Sequence, residues 1–143
     1  MTIPVWILVI FALWTMMVLI TAVGYYRLSR IFSGRSRVRE FSFPDLDQSD
    51  WHRRATRAHL NCVENLPIYG ALVLAITVMD LRSGFLDTLA IIFIIARIIQ
   101  SLIQLSFTQT GRVTQYRFLF FTIQLACMLL MGGWIIGSAL YMR

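Results

Sequence analysis

The sequence predicts an all-α integral membrane protein, a bundle of four transmembrane helices. Of its 143 residues, 58% are hydrophobic, and the mean hydropathy is +0.71. This composition is too apolar for a soluble domain of this size. A bilayer core requires about 20 mainly apolar residues per helix, and four such runs occupy most of the chain. We therefore predict a single membrane domain that covers residues 1–143.

The four helices are predicted at about 5–26, 51–79, 85–107 and 115–142. The first apolar run has no basic residue before it and no clear small-residue cleavage site after it. We interpret it as a retained membrane anchor rather than as a secretory signal. The polar segment at about 27–50 is the only long connection, and it is predicted to be a cytoplasmic loop.

Arginine supplies all 13 basic residues, and the formal net charge is +6. Most of these arginines lie between the apolar runs of the first and second helices. Two flank the connection between the third and fourth helices, and one lies in the connection between the second and third helices. By the positive-inside rule, the first and third connections face the cytoplasm and both termini lie outside. For a bacterial source, this membrane would be the inner membrane. Nucleic acid is not predicted as a partner, because no soluble basic domain is present to bind it.

The stretch "RAHLNCVENLP", residues 57–67, places polar side chains on one face of the second helix. Arg57, Asn61 and Glu64 follow the spacing i, i+4, i+7. If the helix enters the bilayer near Leu60, Glu64 lies roughly 6 Å inside it. Ionisable residues within a membrane usually face a bundle interior or a water-filled cavity. The alternative is that these groups only join helices through hydrogen bonds.

The third helix carries a similar polar face in "ARIIQSLIQLSF". Gln104, Gln100 and Arg97 are predicted at depths of roughly 5, 10 and 15 Å below the cytoplasmic end. Because the second and third helices run antiparallel, the two faces predict a polar cleft that opens to the cytoplasm and has Arg97 as its floor. Arg97 is long enough to extend toward Glu64 and neutralise it. The alternative is a purely structural ion pair between Arg97 and Glu64.

At the cytoplasmic start of the fourth helix, Arg112 and Tyr116 are four residues apart and are predicted to close the cleft. His59 and Cys62 lack further metal ligands nearby, so no metal site is predicted. Cys62 and Cys127 both lie within predicted membrane helices, where a disulfide is not expected.

The cleft combines fixed positive charges, amide groups and one carboxylate beside hydrocarbon. Such a site suits an anionic, hydrogen-bonding molecule that carries an amine and meets a lipophilic partner from the bilayer. Glutathione fits this description, since arginines bind its carboxylates and a carboxylate binds its ammonium. Other anionic amphiphiles fit as well.

"RAHLNCVENLP" closely resembles the signature of the MAPEG family, the membrane-associated proteins of eicosanoid and glutathione metabolism. The resemblance continues in "ARIIQ" and "GRVTQY" and covers essentially the whole chain. It implies a homotrimer with glutathione sites between subunits on the cytoplasmic side.

By this resemblance, glutathione is bound by Arg57, Asn61 and Glu64, and Arg112 is the catalytic residue that stabilises the thiolate. The other glutathione-binding residues that we predict are Tyr116, the third-helix residues Arg97, Gln100 and Gln104, and Arg27. Family members that transfer glutathione commonly carry histidine and tyrosine in place of the two glutamines.

The predicted function is that of a glutathione-dependent membrane transferase or peroxidase. Glutathione would be its co-substrate, and lipophilic electrophiles or lipid hydroperoxides its substrates, which is a detoxification chemistry. We favour an enzyme, a glutathione transferase or peroxidase, over two alternatives. One alternative is a non-catalytic lipid-binding or scaffold protein of the same fold, and another is a small transporter or channel subunit.

Overall fold

The computed structural model describes residues 2–24, 50–108 and 110–141, with only the backbone described at residues 22 and 23. These residues form four α-helices and a short π-helical stretch, Ile20–Gly24, which continues the first helix. The α-helices are α1, Ile3–Leu19; α2, Asp50–Val78; α3, Gly84–Ser106; and α4, Gly111–Tyr141. Most of the predicted loop at about 27–50, including Arg27, lies outside the described residues.

The helices confirm the prediction of an all-helical membrane protein. Within the described ranges, α2, α3 and α4 are long and apolar enough to cross a bilayer, and α1 is a shorter apolar helix of 17 residues. The first predicted span therefore depends on α1 together with its π-helical continuation. The number of spans and the side on which the termini lie stay predictions.

Three aromatic rings hold α1, α2 and α3 together. Tyr69 stacks on Phe93 with 4.4 Å between ring centroids, and Phe11 meets Phe93 edge to face at 5.4 Å. The Tyr69 hydroxyl donates a hydrogen bond of 3.3 Å to the carbonyl of Pro4. Aromatic pairs contribute beyond the area that they bury. This cluster therefore fixes how α1 lies against α2 and α3.

A tight turn makes α2 and α3 antiparallel neighbours. Asp80 adopts a left-handed backbone with φ of 45°, and the Leu81 amide donates a bond of 3.0 Å back to the Ile76 carbonyl. Ser83 then caps α3 by accepting a bond of 3.3 Å from the Phe85 amide. The turn places the start of α2 and the end of α3 at the same end of the bundle.

Candidate functional site

The polar face predicted on α2 lies partly at the surface of the single chain. Arg57 and Glu64 are exposed, and Asn61 between them is half-buried. Asn65, the next residue after Glu64, is buried. The helix runs unbroken through Pro67. As predicted, one helix face carries Arg57, Asn61 and Glu64. The side chains of its two charged residues are exposed on the surface of the single chain.

The polar faces of α2 and α3 meet at Asn61 and Gln104. The Asn61 Nδ2 donates a hydrogen bond of 3.3 Å to the Gln104 Oε1. Gln104 is 3% exposed, and its Nε2 is buried without a hydrogen-bond partner. A buried amide donor that lacks a partner costs free energy. Any ligand or water that reaches this nitrogen with an acceptor atom would remove that cost.

Arg97 lies inside the bundle of one chain. Its side chain is 0% exposed, and its guanidinium carbon lies 5.7 Å from the centre of the Phe11 ring. The Nη1 donates a bond of 3.1 Å to the Gln100 Oε1, whereas Nε and Nη2 have no partner. Arg97 is therefore closed off from the surface, and its predicted contact with a ligand stays a prediction.

The structure does not contain the ion pair between Arg97 and Glu64 that the sequence suggested. Among the described residues the only carboxylate within 4.0 Å of a cationic nitrogen is Asp80, which pairs with Arg82. The reason is orientation: Arg97 points into the bundle, beside Phe11, whereas Glu64 is exposed on the outside of α2.

Sequence reasoning missed one member of the buried polar network, Gln124 on α4. Gln124 is 0% exposed, and its Nε2 lies 3.0 Å from the Gln100 Oε1 and 2.9 Å from the Phe120 carbonyl. Gln100 in turn donates a bond of 3.1 Å to the Arg117 carbonyl. The available signal was a single amide in the apolar run "FTIQLACM". Gln100 and Gln124 together connect α3 to α4.

The two cysteines are free and buried, as predicted. The Cys62 sulfur lies 3.7 Å from the Ser101 hydroxyl, so it adds to the contact between α2 and α3. No group of three potential metal ligands occurs in residues 2–24, 50–108 and 110–141.

Arg112 and Tyr116 both lie in the first two turns of α4, and both are exposed. Tyr116 leaves 57% of its surface open. The chain thus presents two kinds of predicted site residue. An exposed set consists of Arg57, Glu64, Arg112 and Tyr116, and a buried set consists of Arg97, Gln100 and Gln104, with Asn61 between them.

These features define a helical membrane protein with a polar, arginine-rich region at one end of its bundle. The model of the MAPEG family matches residues 4–137, nearly the whole chain, and the chain therefore belongs to the MAPEG family. That family includes glutathione transferases and peroxidases together with other members. No curated protein and no solved structure gives a match.

Proposed function

We propose that this chain is a glutathione-dependent membrane transferase or peroxidase that acts on lipophilic electrophiles or lipid hydroperoxides. Family membership supports this chemistry without specifying it. The observation that carries the proposal is the Asn61–Gln104 hydrogen bond of 3.3 Å. It joins two polar helix faces that would otherwise be separate, next to an amide nitrogen that lacks an acceptor.

Three exposed residues and the buried Gln104 each have a definite task in this proposal. Arg57 binds a glutathione carboxylate with two parallel hydrogen bonds, and Glu64 binds the ammonium group. Gln104 donates its free Nε2 hydrogen to a peptide carbonyl of the ligand. Arg112 lies beside the thiol, and its positive charge lowers the thiol pKa from about 8.5, which increases the fraction of nucleophilic thiolate at neutral pH.

The chemistry that follows is thiolate attack on a substrate supplied by the bilayer. With an electrophile, a carbon–sulfur bond forms while the leaving group departs with its electron pair. With a lipid hydroperoxide, the oxygen–oxygen bond breaks, and two glutathione molecules become one disulfide while the lipid alcohol and water are released. In both cases the residues of this chain bind glutathione and stabilise negative charge.

A homotrimer with glutathione bound between subunits is part of the proposal. Glu64 supports it, because this carboxylate is exposed and lies about 6 Å inside the point where we predict α2 to enter the bilayer. A charged side chain at the centre of a bilayer costs about 2.5–3.5 kcal/mol on insertion scales, and a shallower one costs less. A neighbouring subunit, together with a bound ammonium group, would remove that exposure.

Calorimetry of the detergent-purified protein with glutathione tests the proposal. We expect saturable binding that Arg57→Gln weakens by at least about tenfold, since a charged hydrogen-bond partner is lost. Arg82→Gln is the matched control, because Arg82 is an exposed arginine on the α2–α3 turn, at the opposite end of these helices. Ultraviolet difference spectra should show thiolate in the wild type and not in Arg112→Ala. Absence of saturable glutathione binding would refute the proposal.

A second candidate function is a lipid-binding or scaffold role without catalysis. The observation that favours it is the presence of glutamine at positions 100 and 104. Neither amide has a titratable proton, and the oxygens of Gln100 and Gln104 already accept hydrogen bonds within the chain. This role predicts that lipid or a protein partner binds while no glutathione-dependent turnover of any electrophile or hydroperoxide occurs.

A further inference from the structure

A polar pocket adjoins the proposed glutathione site at the N-terminal end of α2 and shares Arg57 with it. It has a volume of about 330 Å³ and is lined by Arg53, Arg54, Arg57, Asp50 and Thr108. Three arginines against one aspartate leave this pocket positively charged. The first four residues come from the first two turns of α2 and the fifth follows the end of α3, so the pocket bridges two helices.

The arginines of this pocket have free hydrogen-bonding capacity. No carboxylate oxygen in the described part of the chain lies within 4.0 Å of their nitrogens, Asp50 included. The Nε of Arg54 is buried and has no hydrogen-bond partner. Near the pocket, Arg117 of α4 also has a buried Nε without a partner, and the positive charge of Arg57 acts on it. Neighbouring guanidinium groups with free donors favour an anion that lies between them.

The depth of the pocket indicates which anion reaches it. Along α2, Arg57 lies about 4.5 Å and Arg54 about 9 Å outside Leu60, where the helix is predicted to enter the hydrocarbon. The headgroup layer of a bilayer is about 5–7 Å thick on each side. The two arginines therefore bracket the level at which lipid phosphates lie. A soluble anion has no such preference for depth.

We infer that the side of this pocket formed by Arg53, Arg54 and Thr108 binds the phosphate group of an anionic lipid headgroup, while Arg57 stays available to glutathione. The planar groups of Arg53 and Arg54 donate to the phosphate oxygens, and the Thr108 hydroxyl donates as well. Asp50, which also lines the pocket, accepts hydrogen bonds from the hydroxyl groups of a glycerol headgroup. This binding does not depend on glutathione, and it would hold the cytoplasmic ends of α2 and α3 at a fixed depth.

The test is calorimetric titration of the full chain in neutral detergent with short-chain phosphatidylglycerol, phosphatidylcholine or inorganic phosphate. We expect saturable binding of phosphatidylglycerol, weakened at least tenfold in the double variant Arg53→Gln/Arg54→Gln, because each surface arginine near anionic lipid contributes about 1 kcal/mol, or about fivefold. Arg82→Gln, which removes an exposed arginine far from the pocket, should bind like the wild type.

Three results would overturn the inference. Equal weakening by Arg82→Gln would show diffuse attraction rather than a pocket, and binding of inorganic phosphate without phosphatidylglycerol would show a soluble ligand. If the double variant lost glutathione binding and kept phosphatidylglycerol binding, the pocket would belong to the glutathione site. Circular dichroism of the double variant should match the wild type, which excludes misfolding as the cause of lost binding. Glutathione binding by the wild type is measured separately, so failure of one proposal is distinct from failure of the other.

Discussion

The hydrogen bonds around Gln100 predict that Gln100→Leu destabilises the bundle much more than Gln124→Leu. The Gln100 Oε1 accepts from the Arg97 Nη1 at 3.1 Å and from the Gln124 Nε2 at 3.0 Å. In the described part of the chain it is the only side-chain acceptor bonded to the Arg97 guanidinium. Replacing Gln100 by leucine therefore leaves a fully buried positive charge without any hydrogen bond.

The two substitutions differ in what they leave unpaired. A hydrogen bond to a charged group contributes about 1.5–3 kcal/mol, and that bond is lost in Gln100→Leu. In Gln124→Leu the Gln100 oxygen keeps Arg97 as its donor, and only two neutral bonds, to the Gln100 oxygen and the Phe120 carbonyl, are lost. Neutral side-chain bonds within membranes average about 0.6 kcal/mol. We expect Gln100→Leu to lower the free energy of unfolding by at least about 1 kcal/mol more than Gln124→Leu.

Equilibrium unfolding in mixed micelles of increasing dodecyl sulfate content, followed by circular dichroism, measures this difference. Gln100→Glu keeps an acceptor beside Arg97 and should be more stable than Gln100→Leu. This comparison separates the loss of the hydrogen bond to the Arg97 charge from the effect of changing the shape of the side chain. The reasoning is refuted if the two leucine variants unfold at the same dodecyl sulfate content.

Three further predictions concern other parts of the chain. Arg112→Ala should abolish glutathione-dependent turnover in an electrophile conjugation assay and leave the elution volume in size-exclusion chromatography unchanged. Unaltered turnover would show that Arg112 has no part in the reaction. Tyr69→Phe should lower the free energy of unfolding by about 0.5–1.5 kcal/mol, because the bond of 3.3 Å to the Pro4 carbonyl is lost; a stability equal to wild type would show that water replaces this bond. Cys62 and Cys127 are buried, so a polar maleimide should label them only after unfolding, and rapid labelling of the native protein would contradict their burial.

The meeting of Asn61 with Gln104 could be predicted from the sequence. Helical periodicity places each residue on a polar face, and the short connection "DLRSG" makes the two helices antiparallel neighbours. Counting 1.5 Å per residue from the predicted cytoplasmic ends of the two helices then puts both residues at a similar depth. The bond of 3.3 Å between them agrees with this simple geometry.

The orientation of Arg97 could not be predicted in the same way. Periodicity shows that Arg97 shares a face with Gln100, but it does not show which neighbouring helix that face meets. The rotation of α3 about its own axis is set by its packing against α1 and α2, above all by the contacts of Phe93 with Phe11 and Tyr69. That packing directs Arg97 toward Phe11 and away from Glu64.

Two other features had weak sequence signals. Gln124 is a single amide in an apolar run and produces no periodic pattern, so its place in the network follows only from its contacts with Gln100. The fourth helix begins at Gly111, four residues before the predicted start at about 115. Its first turns are polar, and hydropathy detects only the part of a helix that lies in hydrocarbon.

A double-mutant cycle for glutathione binding tests whether the polar faces of α2 and α3 form one site. Calorimetry would compare the wild type, Asn61→Leu, Gln104→Leu and the double variant. We expect each single substitution to weaken binding about tenfold and the double variant to bind no more weakly than either, a coupling of about 1.4 kcal/mol. Independent effects that multiply in the double variant, or affinities that stay at the wild-type value, would contradict a shared site.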